Sequence, residues 1–127
     1  MVPIVTHPER NGHFHRNLEE LAAWIDLGCY VQITAASLTG LFGRAARTCA
    51  HALVERGLAH FVASDAHDTE VRTPDLQEAY ECLVDLWGED RVRPLFVENP
   101  RAVLNGDEIE VDTGPPLVRK KKWYQFW

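Results

Sequence analysis

His7, Asp65 and His67 are the residues of this 127-residue chain whose types suit metal chemistry most directly. Imidazole and carboxylate groups are the donors that Mn²⁺, Fe²⁺ and Zn²⁺ accept, and all three positions follow short β-rich runs. In Asp65-Ala66-His67 the two donors leave the same side of an extended segment, so both can reach one metal cluster. A histidine just past a strand is more often a surface or helix-capping residue, and spacing alone leaves both readings open. Arg10 and Arg72 each lie a few residues beyond those positions, on the loop side. There a guanidinium can grip an oxyanion through two parallel N–H bonds, although most loop arginines are simply solvated. None of Cys29, Cys49 and Cys82 is followed by the Cys-x5-Arg phosphate loop of a thiol nucleophile. Covalent cysteine catalysis therefore has no support.

These residues need elements to position them, and the hydrophobic periodicity supplies strand, loop and helix three times over. Pro3–Thr6 reads as a short strand ending in the polar cluster His7-Pro8-Glu9-Arg10-Asn11-Gly12. Leu18, Leu21, Ala22 and Ile25 have helical spacing, with Asn17 as N-cap, Glu20 three residues on and Gly28 as the stop. Cys29–Thr34 reads as a second strand. A small-residue turn from Ala35 to Gly40 then leads to a helix with Phe42, Ala45, Ala46, Cys49 and Leu53 on one face, stopped by Gly57. His60–Ser64 is the third strand and ends in Asp65-Ala66-His67-Asp68. Thr73-Pro74 caps a helix carrying Leu76, Ala79, Tyr80, Leu83 and Trp87. A shorter helical piece around Val92–Phe96 and a turn at Asn99-Pro100 follow. Such alternation predicts an α/β fold with parallel strands, whose chemistry sits at the carboxyl ends of the strands. Three units are too few to close a barrel.

Composition narrows the function classes. Apolar residues make up 46% and charged residues 25%, an ordinary globular balance that excludes a disordered tail or a collagen-like fibre. Four of the 13 Lys and Arg fall in residues 119–127, leaving 9 against 19 acidic side chains in residues 1–118. So acidic a body has no basic stripe to displace counterions from phosphates, and no nucleic-acid partner is expected. No apolar run approaches the roughly 20 residues of a membrane span, and the first residues do not read as a signal peptide. Three widely spaced cysteines suit a reducing cytoplasm better than a disulfide framework.

Three segments together resemble one family. They are Thr6-His7-Pro8-Glu9-Arg10-Asn11, the run from Gly28 to Gly43 (GCYVQITAASLTGLFG), and His60–His67 (HFVASDAH) with Arg72 and Pro74. They look like the C-terminal half of the capsule- and exopolysaccharide-locus protein-tyrosine phosphatases of the polymerase and histidinol phosphatase (PHP) superfamily. Asn99–Leu104 is similar to the family's closing helix, and the resemblance runs from about residue 2 to about residue 106. It implies a partial PHP-type barrel, a distorted TIM-like β/α barrel, of about three parallel βα units plus C-terminal helices. It makes His7, Asp65 and His67 metal ligands, and Arg10 and Arg72 the catalytic arginines that hold the transferring phosphoryl group. The implied reaction is hydrolysis of phosphotyrosine in proteins by a cluster of two to three divalent ions, commonly Mn²⁺. The implied partner is the tyrosine autokinase that controls polysaccharide export.

Departures from the family pattern set further expectations. Its barrel normally begins with a strand bearing His-x-His, and more His, Asp and Glu ligands follow before the His-Pro-Glu-Arg segment. Here the sequence opens at the strand leading into His7, so roughly half of the expected barrel and its ligands are missing. Homo-oligomerisation, a separately encoded N-terminal half or a truncated gene would each account for that. A remnant that binds phosphotyrosine without hydrolysing it is the alternative function. His13 and His15 form a His-x-His pair in the wrong place, and they read as polar residues of a helix-entry loop. The expected organisation is a half-barrel domain over 1–106 and a tail over 107–127, acidic and then basic-aromatic. That tail reads as a solvated terminus or packing strap; its alternative is weak contact with an anionic membrane, which the protein otherwise meets only through the kinase.

Overall fold

The computed structural model describes residues 1–109. Three short strands, β1 (Ile4–Thr6), β2 (Tyr30–Thr34) and β3 (Phe61–Ala63), form one parallel sheet in the order β1-β2-β3. Ile4 pairs with Tyr30 and Thr6 with Gln32; across the next ladder Gln32 pairs with Phe61 and Thr34 with Ala63. Parallel neighbours require crossovers, and helices provide them. Helices α1 (Gly12–Arg16) and α2 (Leu18–Asp26) link β1 to β2, and α3 (Ala35–Thr39) and α4 (Arg44–Glu55) link β2 to β3. Helices α5 (Gln77–Trp87), α6 (Glu89–Phe96) and α7 (Glu98–Asn105) follow. The expected βα alternation is present as an open three-stranded sheet among the described residues.

Side-chain periodicity accounts for the packing. Alternation along β2 buries Val31 and Ile33, which meet Val62 of β3 in the core. Helix α4 buries Ala46, Cys49, Ala50, Leu53 and Val54, the i, i+3, i+4, i+7, i+8 stripe of an amphipathic helix. Helix α5 buries Ala79, Leu83 and Trp87 at four-residue spacing. Each fully buried leucine such as Leu21, Leu38, Leu53 or Leu83 contributes about 2 kcal/mol of transfer free energy.

Several local expectations are corrected. The segment from Ala35 to Gly40 is a helix, α3, with Gly40 closing it at φ 100°. Phe42 does not belong to α4: Gly43 at φ 93° precedes that helix, so Phe42 is set free in the connecting loop. Asn17 makes no side-chain cap; its amide donates instead to Glu20 Oε2 at 3.2 Å. Thr73-Pro74 does not start α5, because Asp75 Oδ1 accepts from the Gln77 N–H at 2.8 Å and the helix begins there. Asn99-Pro100 lies in the first turn of α7, where proline's missing N–H costs nothing. His13 and His15 sit within the short α1.

Residues 110–127 lie outside the described residues, and with them the basic-aromatic run. Of the 107–127 tail, Asp107, Glu108 and Ile109 are described, and Ile109 is buried. Among the described residues no helix is long and apolar enough to cross a membrane.

Candidate functional site

The carboxyl ends of β1 and β3 both open into strained backbone. His7, directly after β1, has φ 42°, and Asp65, two residues after β3, has φ 49°. Among the described residues these are the non-glycine positions with positive φ. His and Asp are among the residue types that tolerate the left-handed region, at a cost of about 1–3 kcal/mol. The surroundings hold them there. The His7 N–H donates to the Gln32 carbonyl at 2.8 Å, continuing the β1–β2 ladder one residue beyond the strand.

This turn delivers Arg10. Pro8–Arg10 forms a single 3₁₀ turn whose Glu9 side chain is fully buried. Glu9 Oε1 accepts from the Thr34 N–H and the Ser37 hydroxyl, both at 2.8 Å, tying the turn to the start of α3. Glu9 Oε2 is buried without a hydrogen-bond partner. His15 Nε2 meets the Glu9 carbonyl at 2.5 Å from the other side. Burial, and secondarily the Glu9 charge, push the Cys49 thiol up to about 11.

Arg10 and Arg72 converge on one oxygen. Arg10 Nη1 lies 2.8 Å and Arg72 Nη2 2.5 Å from Asp65 Oδ2, with all three side chains about a quarter exposed. Partial burial opposes ionisation of Asp65. The Arg10 hydrogen bond and the charges of Arg72, His67 and Arg10 outweigh it and hold the carboxyl below its usual range. Both guanidiniums also lie over the Phe42 ring, Arg10 Cζ at 4.1 Å and Arg72 Cζ at 5.6 Å from its centroid. The loop bearing Arg72 closes on itself: Asp68 Oδ1 accepts from the N–H groups of Glu70, Val71 and Arg72, and the His67 N–H donates to the Arg72 carbonyl at 2.9 Å.

The three expected metal donors are close to one end of the sheet but do not converge. His7 and His67 are exposed. The His67 Nδ1 sits 2.7 Å from the Asp65 carbonyl. The Asp65 carboxylate is taken up by the arginines. Among the described residues no three His, Cys, Asp or Glu side chains form a group that could hold a metal ion. In donor type the residues fit a hard or borderline divalent ion; in number and placement they are a partial set.

Beside Arg72 lies a cleft of about 220 Å³, lined among others by Leu41, Phe42, Val71, Arg72, Asp75 and Glu78. Sequence spacing gives no reason to single out Glu9, since a glutamate in a polar turn is ordinarily solvated. Phe42 is missed because its position matches the α4 stripe. The Gly43 that follows it is the signal that separates it from the helix.

The fold is α/β, a parallel sheet whose carboxyl edge carries two converging arginines, imidazoles and a carboxylate. Comparison with known proteins sharpens that class. Residues 1–105 match the family described as capsular polysaccharide synthesis, CpsB/CapC, and the chain belongs to that family. It is 35% identical over 120 residues to the tyrosine-protein phosphatase YwqE of Bacillus subtilis strain 168, covering 94% of this chain and 47% of that protein. It is 34% identical over 109 residues to the tyrosine-protein phosphatase CpsB of Streptococcus pneumoniae, covering 82% of this chain and 45% of the other. A solved structure from work on these two, described as unique metal-dependent tyrosine phosphatases, superposes with a TM-score of 0.84 at 36% identity. The superposition covers 93% of this chain and 47% of that one. The chain thus spans about half the length of the curated relatives it matches.

Proposed function

We propose that this chain provides the arginine-bearing half of a metal-dependent protein-tyrosine phosphatase of the PHP class, over the domain 1–106. The observation that carries the reading is the convergence of Arg10 and Arg72 on Asp65 Oδ2. A single anionic oxygen held by guanidiniums from two separate loops supports reading the pair as a holder of a phosphoryl oxygen. Arg10 and Arg72 bind the phosphate and neutralise charge that develops on its equatorial oxygens. Phe42 keeps the two forks on one platform. His7, Asp65 and His67 would hold divalent metal, in the first instance Mn²⁺, together with donors from outside the described residues. Such a metal centre supplies a bound water of lowered pKa and a clamp on the attacking and leaving oxygens.

The substrate that fits this reading is a phosphotyrosyl protein, with the tyrosine autokinase of polysaccharide export as the partner, in the cytoplasm. Support for the phosphotyrosyl substrate comes from the relatives' names and from the charged pair itself. A second reading is favoured by a separate observation: the described donors do not converge, and Asp65 is engaged by the arginines. On that reading the chain binds phosphotyrosine without turning it over.

Hydrolysis of p-nitrophenyl phosphate by the 127-residue chain with Mn²⁺, before and after EDTA, tests the proposal beside Arg10→Ala/Arg72→Ala and Asp65→Ala/His67→Ala variants. Chelator-sensitive activity lost in both variants is the expected result. A folded, inactive chain that still binds phosphotyrosine peptides through Arg10 and Arg72 would replace it with the second reading.

A further inference from the structure

We infer that the cleft beside Phe42 is a subsite for a basic side chain adjacent to the phosphotyrosine. The inference rests on the arginine pair being the phosphate seat. Arg72 and Phe42 are shared: each faces the arginine–Asp65 cluster and each walls the cleft, so a phosphate on the guanidiniums leaves its neighbouring residue at the cleft mouth. At about 220 Å³ the space suits one large side chain, below the roughly 300–1,000 Å³ of a drug-sized pocket. An extended peptide advances about 3.3 Å per residue, so a side chain one to three residues from the phosphotyrosine reaches it.

Charge selects the occupant. Leu41, Phe42 and Val71 offer apolar walls for the methylene stem of lysine or arginine. Asp75 and Glu78 line the same cleft and are exposed, and neither makes an ion pair among the described residues. Asp75 uses Oδ1 to accept from the Gln77 N–H at the start of α5. Asp68 and Glu70 add negative charge in the same loop, though neither lines the cleft, whose own cation is Arg72. A glutamate or aspartate beside the phosphotyrosine would meet the carboxylates of Asp75 and Glu78; a lysine would meet the same two as partners.

Binding of labelled phosphotyrosyl peptides to the full 127-residue chain tests this. Lysine, alanine or glutamate is placed at each position from three before to three after the phosphotyrosine, with unphosphorylated peptides alongside. At the position that reaches the cleft, lysine should bind about three- to tenfold tighter than glutamate, the range expected of two exposed ion pairs. In Asp75→Asn/Glu78→Gln that preference should fall below twofold, while Glu55→Gln, away from the cleft, should leave it intact. Equal binding of lysine and glutamate peptides, or a preference that survives Asp75→Asn/Glu78→Gln, overturns the subsite and leaves the phosphate seat standing. Failure of every phosphorylated peptide to outbind its unphosphorylated twin, or binding that persists in Arg10→Ala/Arg72→Ala, overturns the seat and the subsite together.

Discussion

Arg72 holds Asp65 twice: its Nη2 donates to Asp65 Oδ2 at 2.5 Å and to the Asp65 carbonyl at 3.3 Å. One guanidinium thus fixes both the side chain and the left-handed backbone of the residue at the mouth of β3. Asp65→Asn keeps a residue that tolerates positive φ and loses the charge; Asp65→Ala loses both. Stability should fall by about 1–2 kcal/mol in the first and by about 1–2 kcal/mol more in the second. Equal urea midpoints for the two variants would show that the backbone is not strained as the dihedral indicates.

Phe42 supports both cations with its ring face rather than its bulk. Phe42→Leu should weaken phosphotyrosine-peptide binding about two- to fivefold without moving Tm, and Phe42→Trp should restore it. Isothermal titration beside a thermal melt separates the two effects. A leucine variant that binds as well as the parent would remove the cation–π contribution.

Glu9 is buried with two donors on one oxygen, so its removal strands the Thr34 N–H and the Ser37 hydroxyl in the interior. Glu9→Ala should cost about 2–4 kcal/mol, and Glu9→Gln, which keeps an acceptor, less than half of that. Chemical denaturation of the three proteins checks the order.

His60 makes stability fall on acidification. It is 3% exposed, accepts from the Val31 N–H through Nδ1, and burial lowers its pKa from 6.5 to about 4. Above pH 6.5 the folded and unfolded states are both neutral there, and nothing is lost. Between pH 6.5 and 4 the unfolded chain takes up a proton that the fold refuses, and about 3 kcal/mol disappears from this group. Denaturation midpoints at pH 7.5, 5.5 and 4.5 should show a slope that is shallower in His60→Gln.

The three cysteines should differ in reactivity. Cys49 is buried with its thiol pushed up to about 11, whereas Cys29 and Cys82 are half-buried. At pH 8, iodoacetamide should leave Cys49 unlabelled in the native protein and label it once urea unfolds the chain. Mass spectrometry of tryptic peptides reads the pattern.

The sequence pattern carries the strands, α2, α4 and α5 because each presents a single apolar face whose period is unmistakable, as Leu53 and Leu83 show. It misses α3 because Ala35, Ala36, Ser37 and Thr39 look like a turn. What makes that run helical is distant: the Glu9 carboxylate, brought from the β1 loop, accepts from its first turn. Phe42 fails for the converse reason, a correct period interrupted by one glycine. At the site, Arg10 and Arg72 are brought together as their positions suggest. The grip of both on Asp65 is not readable, since Arg10 and Asp65 lie 55 residues apart in sequence. Nor is the left-handed backbone of His7 and Asp65, which depends on what surrounds each turn.

The placement of β2 between β1 and β3 makes the site a gauge of the sheet. The loop bearing Arg10 leaves one outer strand and the loop bearing Arg72 leaves the other, so two strand spacings, on the order of 9–10 Å, separate the starts of the two loops. A change in how β2 twists or shears against its neighbours is therefore read out directly as a change in the aperture between the two guanidiniums. Core residues far from this pair, Val31 and Ile33 foremost, thereby set the spacing of the two guanidiniums.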